Sequence, residues 1–253
     1  MRSFISWDGT RIAYQEWGER SELPAVVLHH GFVVDAQANW VATGVVEALT
    51  AAGRAVIAAD ARGHGRSEKP HDPERYGEQR MARDLATLLD TTGARQVDLV
   101  GYSMGAIVAL ILASKDTRVR RLVIGGVGSG VIECGGVDRR AVSNESIIEA
   151  LGADDPASID SPEARAFRTL ADALQADRQA LIAQARSIYR GRIALDQITA
   201  PTLLLAGETD PLAVRPETLT KAIPNATLQP LAGNHIEALG DPRFTRSIVD
   251  FLA

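Results

Sequence analysis

A chain of 253 residues with 45% hydrophobic and 23% charged residues and 22 glycines has the make-up of a folded globular protein, which excludes collagen, coiled coil and disorder. Its formal net charge of -5 comes from interspersed acids and bases with no basic block to neutralise phosphates, so neither nucleic acid nor an anionic membrane surface is an expected partner. Cys134 is the only cysteine, which excludes an internal disulfide and a cysteine-rich metal site and fits a reducing compartment.

The opening text "MRSFISWDGTRIAYQEWG" is interrupted by polar residues every few positions and lacks the apolar core of a secretory signal. No apolar run approaches the roughly 18 residues of a membrane span, so a cytoplasmic protein is expected. Apolar and polar residues alternate on both sides of Asp8-Gly9, which predicts two strands joined by a tight hairpin. Three short apolar or β-branched runs follow, "AVVLHH" (25–30), "RAVIAAD" (54–60) and "QVDLVG" (96–101), separated by text with helical spacing. In "NWVATGVVEALTAAG", Trp40, Val41, Val45, Leu49 and Ala52 share one face, with Asn39 as the expected cap and Gly53 as the stop. In "EQRMARDLATLLDTTG", Met81, Leu85, Leu88 and Leu89 do the same, with Gly93 as the stop.

Strands that are apolar on both faces and alternate with amphipathic helices imply a parallel sheet covered on both sides, an α/β protein. The pattern resumes in "RRLVIGG" (120–126), "PTLLLAG" (201–207) and "ATLQPLAG" (226–233), and closes with a helix from Asp241 in which Pro242 takes the first helical position. Residues 127–196 carry no convincing strand. They open with the glycine-rich "GGVGSG" and continue in alanine-rich helical text, which reads as a helical lid inserted into a core domain of residues 1–126 and 197–253. Phe167, Leu170 and Tyr189, apolar residues at helical spacing, are expected to pack within that insertion rather than line a pocket.

The stretch "LVGYSMGAIVAL" (99–110) sets Ser103 between glycines where a strand gives way to a buried helix. G-x-S-x-G alone is weak evidence, but a strand before it and a helix after it make a sharp turn that holds the serine in strained backbone and lifts its hydroxyl off the sheet edge. A serine hydroxyl needs a base to take its proton, and the base needs a third group to orient it. His235 in "LAGNHIEA" follows the last strand, whereas His29 and His30 end an early one and His64 and His71 lie in a polar loop. Loops at the C-terminal ends of strands gather over one crevice, so His235 is the expected base. The acid is expected from "GETDP", where Asp210 lies in a turn just past a strand, with Glu208, closer to the strand end, as its rival.

With "HHGF", "DARGHGRS", "GYSMG", "GETDP" and "GNH" in this order, the chain resembles the α/β-hydrolase fold superfamily, in its serine-nucleophile, esterase-like branch, over nearly its whole length. The resemblance implies a mostly parallel sheet with an antiparallel N-terminal hairpin and helices on both faces. It further implies a catalytic set of Ser103, Asp210 and His235 and an oxyanion hole from the backbone N–H groups of Phe32 and Met104, with no metal or organic cofactor. It makes "DARGHGRS" a structural loop rather than a second cluster of Asp60, Arg62 and His64, and His30 a residue packed under the loop. Epoxide hydrolases and haloalkane dehalogenases of this fold carry an aspartate where Ser103 stands, so the expected activity is cleavage of a small carboxylic ester or thioester held in a modest apolar pocket. A cofactor-free haloperoxidase or perhydrolase, a carbon–carbon hydrolase and a non-catalytic ligand receptor are the alternatives on the same scaffold.

Overall fold

The computed structural model describes residues 1–19 and 22–253. Eight strands form one sheet: β1 (Arg2–Ile5), β2 (Arg11–Trp17), β3 (Ala25–His29), β4 (Val56–Ala59), β5 (Val97–Tyr102), β6 (Val119–Gly125), β7 (Thr202–Gly207) and β8 (Ala226–Leu231). Their spatial order is β1-β2-β4-β3-β5-β6-β7-β8. The hairpin β1–β2 turns at Gly9 in a left-handed conformation, and β2 runs antiparallel to β4; every other neighbouring pair is parallel. This is the mostly parallel α/β architecture expected from the sequence.

Helices α1 (Val45–Ala51), α2 (Glu78–Thr92), α3 (Met104–Ala113), α4 (Gly130–Glu133), α5 (Asn144–Gly152), α6 (Pro162–Ala173), α7 (Arg178–Arg186), α8 (Pro216–Ala222) and α9 (Pro242–Leu252) surround it. Burial is double-sided because both faces of the central strands are apolar: α1 and α9 cover one face through Leu49, Phe244 and Ile248, and α2 and α3 cover the other through Met81, Leu85, Leu88 and Ile107. α2 starts at Glu78, stops on left-handed Gly93 and buries the four residues predicted from spacing. α9 begins as expected, with the Asp241 side chain accepting from Arg243 N–H and Pro242 in the first turn.

The segment expected to be one helix from Asn39 is instead two pieces. A π-helical turn covers Gln37–Val41, and α1 begins only at Val45, after left-handed Gly44. Asn39 caps neither; its carboxamide oxygen accepts from Gly31 N–H at 2.8 Å, a tertiary bond that outcompetes the local cap.

Between β6 and β7 lie α4 to α7. Ile147, Leu151, Ala164, Ala171, Leu181 and Ile182 give α5, α6 and α7 an apolar cluster of their own, which also takes in Val33 from the loop after β3 and Leu212 from the loop after β7, whereas Val131 of α4 packs into the core of the sheet. Ser143, Ser161 and Asp177 cap α5, α6 and α7 with side-chain acceptors.

Candidate active site

β5 ends at Tyr102 and α3 starts at Met104, leaving Ser103 as the single residue of the turn at φ 55, ψ -118. A non-glycine residue at positive φ is held there only by its surroundings. The flanking glycines serve space rather than φ: a Cβ on Gly101 would lie 2.2 Å from the Gly105 carbonyl oxygen, and one on Gly105 2.1 Å from the carbonyl oxygen of His29. Ser103 N–H donates to Gly125 O at 2.8 Å, tying the turn to β6.

After β7, the Asp210 carboxylate is buried and satisfied on both oxygens. Oδ1 accepts from Leu212 N–H at 2.8 Å, and Oδ2 pairs with His235 Nδ1 at 2.8 Å. With Nδ1 engaged there, the other ring nitrogen of His235 is left for the cavity that both Ser103 and His235 line. No hydrogen bond joins Ser103 to His235 among the described residues; such bonds commonly tighten only when substrate is bound. Glu208, the rival acid, is exposed and stands outside the pair.

Tyr102 is a residue the sequence reading passed over. Its hydroxyl donates to His235 O at 2.6 Å and its ring lies 5.2 Å from the imidazole. Burial, with the Asp210 charge adding to it, pushes this phenol well above its ordinary range, so it remains a donor. Left-handed Gly126 leaves the room the imidazole needs, since a Cβ there would lie 2.8 Å from His235 Cε1.

The loop after β3 passes beside the serine: a Cβ on Gly31 would be 3.5 Å from Ser103 Cβ. Gly31 N–H is taken by Asn39 and Val33 N–H by His64 Nε2 at 3.2 Å, while Phe32 N–H has no acceptor among the described residues. Met104, as first residue of α3, has no intrahelical acceptor for its own N–H.

His30 and His64 are used alike. Each has Nδ1 against a backbone carbonyl (Gly31 O at 2.7 Å, Arg62 O at 3.0 Å) and accepts a backbone N–H at Nε2, from Ala61 and Val33 respectively. Burial holds both below the ordinary histidine range, His64 at about 3, and drives His29 down as well, so all three stay neutral. Asp60 accepts from Ala36 and Arg66 N–H, and Arg62 is buried between Asp8 and Asp84. Among the described residues, no group of three or more His, Cys, Asp or Glu is placed to hold a metal ion.

Comparison with known proteins agrees with the fold. Residues 24–132 match the family model described as alpha/beta hydrolase fold. The crystal structure of a hydrolase from Pseudomonas aeruginosa PA01 superposes with a TM-score of 0.80 at 26% identity, covering 100% of this chain and 98% of that one. The chain belongs to the α/β-hydrolase fold superfamily. Among curated relatives of this α/β-hydrolase, a non-heme chloroperoxidase of Streptomyces lividans is 35% identical over 49% of this chain and 44% of its own length. Epoxide hydrolase A of Mycobacterium tuberculosis is 38% identical over 41% of this chain and 31% of its own length. The chain thus spans less than half of the length of these two relatives.

The cavity of this α/β-hydrolase has a volume of about 1240 Å³, larger than the modest pocket expected from the sequence and above the roughly 300–1,000 Å³ usual for small-molecule sites. Its walls include Ala38, Ala42, Val142, Phe167 and Leu170. Phe167 and Leu170 were expected to be packing residues. They pack against the helical cluster and line the cavity as well, because α6 lies between the two. Tyr189 stays outside the cavity, its hydroxyl donating to Arg192 O at 3.0 Å.

Proposed function

We propose that this α/β-hydrolase is a serine hydrolase that cleaves a carboxylic ester or thioester through an acyl-enzyme. The observation that carries the reading is the 2.8 Å His235–Asp210 pair on the same apolar cavity as a strained Ser103. In the forward step His235 takes the Ser103 proton as Oγ attacks the carbonyl carbon. The negative charge that develops on the carbonyl oxygen is met by the N–H groups of Phe32 and Met104. Collapse breaks the acyl–oxygen or acyl–sulfur bond, and His235 returns the proton to the leaving group. Water, deprotonated by the same imidazole, then releases the acid and restores the serine. Asp210 holds the imidazole tautomer and stabilises its protonated form, with its other oxygen fixed by Leu212 N–H.

The size and apolar lining of the cavity favour a substrate with a bulky apolar group rather than a small acyl ester. The insertion of residues 127–196 acts as the lid over it, with Phe167 and Leu170 as the surfaces that meet that group. Ser103 argues against epoxide opening, which needs a carboxylate nucleophile in this position. The likeness to a chloroperoxidase supports a second reading, in which an acyl-enzyme is intercepted by hydrogen peroxide to give a peracid.

Labelling with a fluorophosphonate probe tests the first reading: the wild type should label and Ser103→Ala should not. Equal labelling of the two, or none of the wild type, overturns it. Comparing ester hydrolysis with peroxide-dependent halogenation on the same preparation separates the two readings.

A further inference from the structure

The "DARGHGRS" turn is left without a part in the chemistry above, yet it reaches the site. Its His64 Nε2 accepts the N–H of Val33, and Asn39 Oδ1 accepts the N–H of Gly31, so the amides on both sides of Phe32 are claimed by side chains from two different elements. Both side chains are buried, each with only 2% of its surface exposed. Val33 sits at φ 73, a conformation that a β-branched residue does not hold by itself. The acceptor is fixed in turn. His64 Nδ1 lies 3.0 Å from Arg62 O, which makes Nδ1 the protonated nitrogen and Nε2 the lone pair. Arg62 is locked by Asp8 and Asp84, and Asp60 braces the turn by accepting from Ala36 and Arg66 N–H. The Phe32 ring is wedged between His64, at 5.9 Å, and Phe167 of α6, at 6.1 Å.

We propose that His64 and Asn39 are positioning residues: by taking the N–H groups of Val33 and Gly31 they fix the strained loop beside Ser103 so that the one unclaimed amide, that of Phe32, is presented to the substrate oxygen. The inference rests on the reading of Phe32 N–H as an oxyanion donor. An imidazole can do this only while Nε2 is unprotonated. His64 is surrounded by the His30 ring at 5.2 Å, the Phe32 ring, the Arg62 carbonyl and the repelling charge of Lys69, an environment that keeps it neutral.

The test uses hydrolysis of p-nitrophenyl butyrate and inhibition by phenylboronic acid, whose tetrahedral serine adduct occupies the oxyanion position. His64→Leu and Asn39→Leu, which keep volume and remove the acceptor, should each lower kcat by about tenfold or more with KM within about twofold, and weaken phenylboronic acid by a similar factor. His64→Gln, whose amide oxygen reaches the Nε2 position, should recover most of that loss. If the leucine variants do not fold, His64→Asn takes their place, because its shorter amide keeps the Arg62 contact and falls short of Val33. Folded His64→Leu and Asn39→Leu with wild-type kcat, or His64→Gln as impaired as His64→Leu, overturn the proposal and leave the Ser103 reading standing. Turnover that survives Ser103→Ala overturns both.

Discussion

Mild acid should destabilise this protein through its buried imidazoles, and His64 allows the size of the effect to be worked out. Its folded-state value is held at about 3 by burial, against 6.5 in the unfolded chain. A histidine with a depressed folded value gives up no stability above 6.5; below it the unfolded chain binds a proton that the native state refuses, and the loss grows until the pH reaches about 3. At pH 5 the unfolded state gains RT ln(1 + 10^1.5), about 2 kcal/mol, while the native state gains almost nothing. Glutamine at this position does not titrate. Urea unfolding of wild type and His64→Gln at pH 7.5 and pH 5 should therefore show the wild type losing about 2 kcal/mol more than the variant across that interval. Any constant cost of the substitution drops out of the difference. Equal losses in the two proteins would refute the claim that His64 is buried and neutral. His29 and His30, shifted in the same direction chiefly by burial, add to the slope of both proteins.

Other substitutions probe separate parts of the site. Gly105→Ala forces a methyl against the His29 and His30 carbonyls, so it should abolish fluorophosphonate labelling and cost about 1–3 kcal/mol by urea unfolding. Tyr102→Phe removes the 2.6 Å bond to His235 O and should lower kcat severalfold with KM unchanged, a loss of about 0.5–1.5 kcal/mol in transition-state stabilisation. Asp210→Asn should cut ester turnover by orders of magnitude while leaving more than Ser103→Ala or His235→Ala does. Ala42→Trp fills one wall of the cavity and should shift preference among p-nitrophenyl esters toward short acyl chains; an unchanged chain-length profile would place the acyl group elsewhere.

The sheet was legible because its strands carry their evidence locally: each central strand is an apolar run between turn residues, and α2 and α9 announce their faces and caps in their own text. Asn39 was misread for the complementary reason. Its residue type suits a helix cap, and nothing nearby in sequence says that Gly31, eight residues earlier, will claim its oxygen. Ser103, Asp210 and His235 stand out in the sequence because each follows a strand end with a distinctive neighbourhood; in the structure Asp210 and His235 form a bonded pair, and Ser103 and His235 line one cavity. Tyr102 and His64 carried no such signal. Their contacts, to His235 O and Val33 N–H, are made with backbone far along the chain, and backbone partners leave no trace in side-chain patterns. Cavity size was equally hidden, since it depends on how the helices between β6 and β7 pack over the sheet rather than on the number of aromatic residues.

Val33 and Leu212 belong to the apolar cluster of the inserted helices, and they stand next to Phe32 and two residues from Asp210. The insertion is therefore not a detachable module. Exchanging it for the equivalent segment of another hydrolase would withdraw packing from the loop beside Ser103 and from the turn that holds Asp210 at the same time. A chimera built to change what the cavity admits would have to carry matching replacements at Val33 and Leu212, or it would alter the rate of the reaction along with its selectivity.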